Sequence, residues 1–171
     1  SLKRELTILS SVLNIAIKEW GIAIPQNPVS MVSLPKIARG RDRRLEAGEE
    51  EKLLSATGEL KRLIILALET GMRRGEILNI KRSHIDFVRQ TLLIPLTKTD
   101  TPRTIPLSSK AIAVLREQLR GFEKVISIGV TTLFTYKPRS LSGAFLRLSR
   151  RNKLDNLHFH DLRHEATSRF F

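Results

Sequence analysis

Apolar side chains in the first 20 residues recur at intervals of three and four, which is the spacing of one face of an α-helix. The helix is predicted to end at Gly21. A single helix cannot bury such a stripe alone, so it packs either on residues further along or within a preceding domain of which it is the last helix. The proline-containing stretch that follows favours the second interpretation. The stripe consists of Leu2, Leu6, Leu9, Leu13, Ala16, Ile17 and Trp20.

Residues 22–45 form a stretch that prolines interrupt and that becomes strongly basic in its second half. Pro25, Pro28 and Pro35 block regular helix. The basic half is either a solvated connector or an extended arm that lies on the phosphates of a nucleic acid, and both interpretations stay open. The cations that would contact phosphates are Lys36, Arg39, Arg41, Arg43 and Arg44.

Helical periodicity returns at Glu46 and gives way once to strand periodicity. The segment 59–69 is almost wholly apolar, so it is expected to be a helix at the centre of the core. We therefore predict a mainly α fold with a small antiparallel β-sheet, an α+β domain. The other predicted helices cover 47–56, 74–80, 108–119, 141–151 and 161–170, and the strands cover 85–88, 91–95 and 103–107.

The chain carries a large excess of positive charge. Its 171 residues include 30 lysines and arginines against 17 acidic residues, giving a net charge of +13. This indicates a polyanionic partner, with nucleic acid the first candidate and anionic membrane the second. The longest apolar run, 63–68, is too short to span a bilayer, so no membrane partner is expected. Cysteine is absent, which excludes disulfides and thiolate zinc sites, and a cytoplasmic location is expected.

Four cationic residues stand in short polar motifs: Arg73, Lys98, His160 and Arg163. Arginine grips two phosphate oxygens with its planar fork, and lysine or histidine can protonate a leaving oxygen. These residue types together suit the breaking of a phosphodiester bond. No carboxylate cluster or Cys/His ligand set accompanies them, so we predict a metal-free site without a cofactor.

Each of these residues also has a purely structural interpretation. Arg73 opens a helix and shares a face with Glu76, so the pair is either a supported anion clamp or a surface ion pair. Lys98 lies in a strand-to-strand turn, where most lysines are simply solvated. His160 and Arg163 share one face at the start of a helix, and the adjacent His164 is expected to point elsewhere.

Taken together, the motifs resemble those of the tyrosine recombinases, the phage-type integrases. The resemblance rests on Thr-Gly-Met-Arg-Arg-Gly-Glu at 70–76, on Thr-Lys-Thr at 97–99 followed by Arg-Thr-Ile-Pro-Leu at 103–107, and on His-Asp-Leu-Arg-His at 160–164. Their order and spacing both match, and the resemblance extends over essentially the whole chain. The three motifs together are highly specific, although each alone is weak.

The resemblance implies a role for each matched residue. Arg73 and Arg163 correspond to the two arginines that clamp the scissile phosphate. Lys98 corresponds to the hairpin lysine that protonates the leaving 5′ oxygen, and His160 to the histidine that assists proton transfer and phosphate binding. Glu76 corresponds to the acidic residue that supports the first arginine.

A domain organisation is implied as well. Residues 1–21 resemble the last helix of a truncated core-binding domain, 22–45 a basic linker, and 46–171 an incomplete catalytic domain. The family places its tyrosine nucleophile downstream of the His-x-x-Arg motif, whereas the only tyrosine here, Tyr136, lies upstream. We therefore expect a C-terminally truncated fragment that is inactive by itself.

The function implied by the resemblance is site-specific DNA recombination or integration, by metal-free strand cleavage and rejoining through a covalent phosphotyrosine. Double-stranded DNA is the expected partner, with the full-length parent tetrameric on DNA and the fragment monomeric. A non-catalytic DNA-binding module and a type IB topoisomerase-like enzyme stay open as alternatives. A catalytic function requires the four cations to line one basic cleft.

Overall fold

The computed structural model describes residues 2–33, 42–95, 101–122 and 132–169. The chain divides into two compact units, Ser1–Gly40 and Arg41–Phe171. Lys36, Arg39, Arg41 and Lys98, all named above as candidate site residues, lie outside the described residues. The assignment of 1–21, 22–45 and 46–171 to separate domains stays a prediction.

The first unit is one helix with a short return segment. Helix α1 spans Leu2–Lys18, and a 3₁₀ helix spans Pro28–Met31. The side-chain amide of Asn27 donates to the Ser10 carbonyl at 2.9 Å and to Asn14 Oδ1 at 2.8 Å. These bonds hold the 3₁₀ helix against α1, which the proline pattern did not anticipate.

The second unit is mainly helical, with one three-stranded antiparallel sheet in the order β1-β2-β3. This confirms the predicted fold class. A further 3₁₀ helix, Arg82–His84, precedes the sheet. The elements are α2 Glu49–Leu54, α3 Gly58–Thr70, α4 Arg74–Leu78, β1 Ile85–Asp86, β2 Thr91–Ile94, β3 Arg103–Pro106, α5 Ser109–Phe122, α6 Pro138–Arg151 and α7 Asp161–Arg169.

Helix α3 is the centre of the core, as its apolar sequence predicted. It packs against α5 and α7, and it also contacts α2, α4 and α6. These elements cover the apolar stretch 63–68 of α3, most of which is buried. The buried side chains of α3 are Leu63, Ile64, Leu66, Ala67 and Leu68.

The sheet is shorter than its apolar pattern predicted. The first strand ends at Asp86 because its carboxylate accepts hydrogen bonds from the backbone N–H groups of Val88 and Arg89, which turns the chain. In the register between β2 and β3, Leu92 pairs with Ile105 and Ile94 with Arg103. Leu92 and Ile94 are buried, so this face of the sheet covers the core.

Several helix bounds differ from the prediction by up to three residues, and the start of α6 has a clear local reason. Helix α6 starts at Pro138, earlier than the predicted Leu141, because proline suits the first helical position and Ser140 Oγ accepts the Lys137 N–H at 3.0 Å. Helix α3 ends where Gly71 takes a left-handed conformation. In the described ranges, no helix is long and apolar enough to cross a membrane.

Replacing Leu66 by alanine should test the central position of α3. The Leu66 side chain is fully buried, so Leu66→Ala leaves a cavity and should lower the free energy of unfolding by about 2–5 kcal/mol. Val88→Ala is the control, because Val88 is 93% exposed and should change stability by less than about 0.5 kcal/mol. Urea unfolding followed by far-UV circular dichroism measures both. Equal effects would contradict the assignment.

Candidate active site

The left-handed turn at Gly71 shapes the first part of the site. Gly71 has φ +59°, and a Cβ there would also lie 3.6 Å from the Ala166 side chain on α7. The turn ends α3 and lets the chain begin α4 after only two further residues. Arg73 therefore stands at the cap of α4 with extended backbone angles, at the point where α3 and α4 meet.

The carboxylate of Glu76 joins two arginines. Its Oε1 lies 3.0 Å from Nη1 of Arg73, and its Oε2 lies 2.8 Å from Nη2 of Arg103. The same Oε2 also accepts the backbone N–H of Arg73 at 2.8 Å. The Glu76 side chain is only 6% exposed, whereas those of Arg73 and Arg103 are 43% and 35% exposed. One buried carboxylate thus anchors two cations that reach the surface.

The pKa of Glu76 lies below its ordinary value although the carboxyl is buried. Burial raises the pKa, but the hydrogen bonds from the Arg73 backbone and from the Arg103 and Arg73 side chains lower it by more. Glu76 is therefore ionised at neutral pH, and its negative charge fixes the guanidinium of Arg73.

Helix α7, which carries His160 at its start and Arg163 in its first turn, is fastened at both ends. At the start, the buried Asp161 carboxylate accepts the His158 N–H at 2.8 Å. At the end, Arg169 bonds Glu165 at 2.9 Å and Glu50 of α2 at 2.6 Å. These contacts fix the helix that presents the second half of the site.

Arg163 reaches back to the turn that positions Arg73. Its Nη1 donates a short hydrogen bond to the Gly71 carbonyl. Burial lowers the pKa of Arg163, repulsion from Arg73 and Arg103 lowers it further, and Glu76 acts in the opposite direction. The three guanidinium groups therefore lie within electrostatic reach of one another.

His160 and His164 form a ring pair. Their ring centroids lie 5.3 Å apart at an interplanar angle of 88°. The prediction that His164 points elsewhere is wrong, because residues four apart on a helix share a face. His160 is exposed, but neighbouring atoms displace part of the water around its ring. This desolvation lowers the pKa of His160. Repulsion from His164, Arg163 and Arg73 adds to this, against Asp161. His160 is therefore mostly neutral at pH 7.

An open cleft of about 450 Å³ contains Arg73 and His160 together. Arg74, Ser142 and His158 also line it, and Arg74 donates a short hydrogen bond to the Ser142 hydroxyl. The structure thus brings three of the four predicted cations together. Arg73 and His160 share the cleft, and Arg163 is bonded to the backbone two residues before Arg73.

The two linker cations within the described residues differ from one another. The Arg43 guanidinium pairs with Glu49, and this hydrogen bond raises its pKa. Arg43 is therefore held within the protein by an ion pair. Arg44 is exposed and stays a candidate for contacts with phosphates.

Arg103 is a site residue whose role could not be predicted from the sequence. It lies 27 positions from Glu76 in the chain, so no local spacing links the two. The available signal was a charged residue inside a short, half-buried strand, which needs a carboxylate partner. In the part of the chain that the structure describes, no group of three His, Asp or Glu residues is arranged to hold a metal ion.

Several known proteins are similar to this chain. A family model described as the phage integrase family matches residues 43–171. The shufflon-specific DNA recombinase of Escherichia coli is 39% identical over 176 residues, covering 100% of this chain and 44% of that protein. The chain spans about half the length of the curated relatives it matches.

Two solved structures share the fold. The Tn1549 transposon integrase in complex with circular intermediate DNA has a TM-score of 0.75 at 17% identity, covering 98% of this chain and 64% of that one. A lambda integrase dimer bound to a COC′ core site has a TM-score of 0.72 at 24% identity, covering 97% and 64%. Both likenesses concern the fold.

Replacing Glu76 by glutamine should reveal the charge that holds the arginines. At pH 7, Glu76→Gln should lower the free energy of unfolding by roughly 1–3 kcal/mol, because charge-assisted hydrogen bonds are lost. The folded-state pKa of Glu76 is depressed, so its stabilisation is present above the unfolded pKa of about 4.3 and disappears as the pH falls through the folded value. The gap between the two proteins should therefore narrow below about pH 4.3.

Urea unfolding at several pH values measures that gap. Glu46→Gln is the matched control. The Glu46 side chain is 80% exposed, and its ion pair with Arg43 is long, at 3.9 Å. It should change stability little at any pH. A gap for Glu76→Gln that stays constant down to pH 3 would show that the carboxylate charge is not what matters.

Proposed function

Because the chain belongs to the phage integrase family of tyrosine recombinases, we propose that it forms part of the catalytic domain of a site-specific DNA recombinase or integrase. The observation that carries the proposal is the convergence of Arg73, His160 and Arg163 around the turn at Gly71. A surface that only attracted nucleic acid would not need a buried carboxylate to fix one of its cations.

The reaction we propose is transfer of a DNA phosphoryl group to a tyrosine. The tyrosine oxygen attacks the phosphorus, a 3′-phosphotyrosine bond forms, and the bond to the 5′ oxygen breaks. Arg73 and Arg163 stabilise the negative charge on the non-bridging oxygens. Lys98 gives its proton to the leaving 5′ oxygen, and the neutral imidazole of His160 assists by accepting the proton that the tyrosine hydroxyl loses. The reverse attack by a 5′ hydroxyl rejoins the strand, so no metal or nucleotide cofactor is required.

The partner we propose is double-stranded DNA. The net charge of +13 supports it, as do the related integrases whose structures contain DNA. A cytoplasmic place of action follows from that partner. We further propose that the whole recombinase acts as a tetramer on DNA, whereas this 171-residue chain alone is monomeric.

We propose that Tyr136 is not the nucleophile. Its backbone N–H bonds the Glu59 carboxylate at 3.1 Å, at the start of α3. Arg73 follows the opposite end of that helix. The twelve residue steps from Glu59 to Gly71 span about 18 Å at 1.5 Å per step, which a tyrosine side chain cannot bridge. The 171 residues alone therefore form no covalent DNA adduct in cis, and another tyrosine must be supplied.

Replacing Arg163 by alanine should separate catalysis from binding. The test protein is this chain extended by the tyrosine-bearing segment of a family member. In it, Arg163→Ala should reduce DNA cleavage by at least about a hundredfold, because a fixed donor to the transition-state phosphate is lost. DNA affinity should fall by no more than the amount that the loss of one contact to a DNA phosphate causes. Gel shift and cleavage assays measure the two effects.

Arg120→Ala is the control for that experiment, because Arg120 is exposed on α5. It should leave cleavage unchanged. If the unaltered extended protein binds DNA but never cleaves it, the alternative of a non-catalytic DNA-binding module is correct. If it relaxes supercoiled DNA without preference for a site, the topoisomerase-like alternative is correct.

A nicked suicide duplex should test the nucleophile. The 171-residue chain should give no protein–DNA band on a denaturing gel, whereas the extended protein should give one that disappears when its added tyrosine becomes phenylalanine. A band formed by the 171-residue chain and abolished by Tyr136→Phe would contradict the proposal.

A further inference from the structure

We propose that Arg103 is a positioning residue, which occupies one oxygen of Glu76 and thereby keeps the guanidinium of Arg73 open to a phosphate. This inference rests on the proposed function, because it assigns Arg103 a task in the same site. Arg103 itself is not required to touch the DNA.

The two carboxylate oxygens of Glu76 accept from different donors. Oε2 is filled by two donors, the backbone N–H of Arg73 and Nη2 of Arg103, each at 2.8 Å. Only Oε1 is left for the Arg73 side chain, which reaches it through Nη1 at 3.0 Å. The guanidinium of Arg73 is therefore held at one point.

A one-point contact matters because arginine and carboxylate prefer to meet through two parallel hydrogen bonds. Without Arg103, Oε2 would have room for a second donor from the Arg73 side chain. An Arg73 guanidinium that made two hydrogen bonds to Glu76 would direct those N–H groups at the carboxylate instead of at a phosphate. Arg103 blocks that arrangement and leaves the rest of the Arg73 fork free for a ligand.

Charge gives the second argument. Arg73 and Glu76 alone sum to zero, whereas Arg73, Glu76 and Arg103 sum to +1. Because the Glu76 side chain is 6% exposed, water screens this group less than it would a surface pair. Arg163 also lies within reach of the same charges. Arg103 therefore maintains a positive potential at the place where the proposed transition state accumulates negative charge.

Arg103 also links two parts of the fold. It is the first residue of β3 and pairs in register with the buried Ile94 of β2, while Glu76 belongs to α4. The ion pair between Arg103 and Glu76 thus fixes the sheet against the helix that presents Arg73. A displaced sheet would weaken this ion pair and release Glu76 to Arg73.

The test compares Arg103→Ala with Arg89→Ala in the extended protein. Arg89 is the matched control, because it is 81% exposed, lies 3.9 Å from Asp86 and belongs to the same part of the chain. Both variants lose one positive charge, so both should lose DNA affinity by a similar small factor. Cleavage at saturating DNA should fall by roughly ten- to a hundredfold for Arg103→Ala, the effect of a lost charged hydrogen bond, and stay near normal for Arg89→Ala.

Two further variants separate positioning from simple structural support. Arg103→Lys keeps one donor and the charge, so it should restore cleavage to within roughly fivefold of the unaltered protein, given that only Nη2 contacts Glu76. In a Glu76→Gln background, adding Arg103→Ala should reduce the rate of DNA cleavage by less than about twofold, since the partner through which Arg103 acts is already altered. A structural residue would show its full effect in both backgrounds.

The pH profile gives an independent readout. Arg103 lowers the pKa of Glu76, so removing Arg103 raises that pKa, and the acid limb of cleavage should move to higher pH. Arg89→Ala should not move it. Equal cleavage by Arg103→Ala and Arg89→Ala, with an unshifted acid limb, overturns the assignment of Arg103. Absence of cleavage by the unaltered extended protein overturns the proposed function instead.

Discussion

A single buried carboxylate organises this site. The Glu76 side chain is only 6% exposed, so its charge has to be satisfied mainly by the protein. Three donors satisfy it. Arg73 donates through its backbone N–H and its side chain, and Arg103 donates through its side chain. The interaction is stabilising only while all of its partners are present, because a buried charge that loses a partner is strongly destabilising.

The rest of the fold serves to bring those partners to one place. The apolar helix α3 forms the core, and the left-handed turn at Gly71 ends it abruptly enough for Arg73 to begin the next helix. Helix α7 packs against α3 and bonds the carbonyl of that same glycine through Arg163. One turn therefore positions both arginines, which come from opposite halves of the second unit. Any substitution that straightens the turn would move both together.

The site concentrates positive charge, and this has a cost that the fold offsets. Burial and mutual repulsion lower the pKa of Arg163 and of His160. A hydrogen bond from the His158 N–H to Asp161 at the start of α7 and one from Arg169 to Glu50 at its end hold the helix in place against that repulsion. A phosphate bound between the cations would relieve the repulsion, so the site favours an anionic ligand. This is the electrostatic property that phosphoryl transfer requires.

The sequence by itself determined the fold class, the central position of α3 and the order of the motifs, because apolar periodicity and glycine or proline signals are local properties of the chain. The tertiary structure decided the rest. It joined Arg103 to Glu76 across 27 positions and placed Arg43 in an ion pair with Glu49. Helical spacing relates residues three or four apart, such as Arg73 and Glu76, but it does not relate the members of these two pairs. Only the folded arrangement could therefore show that these charges meet.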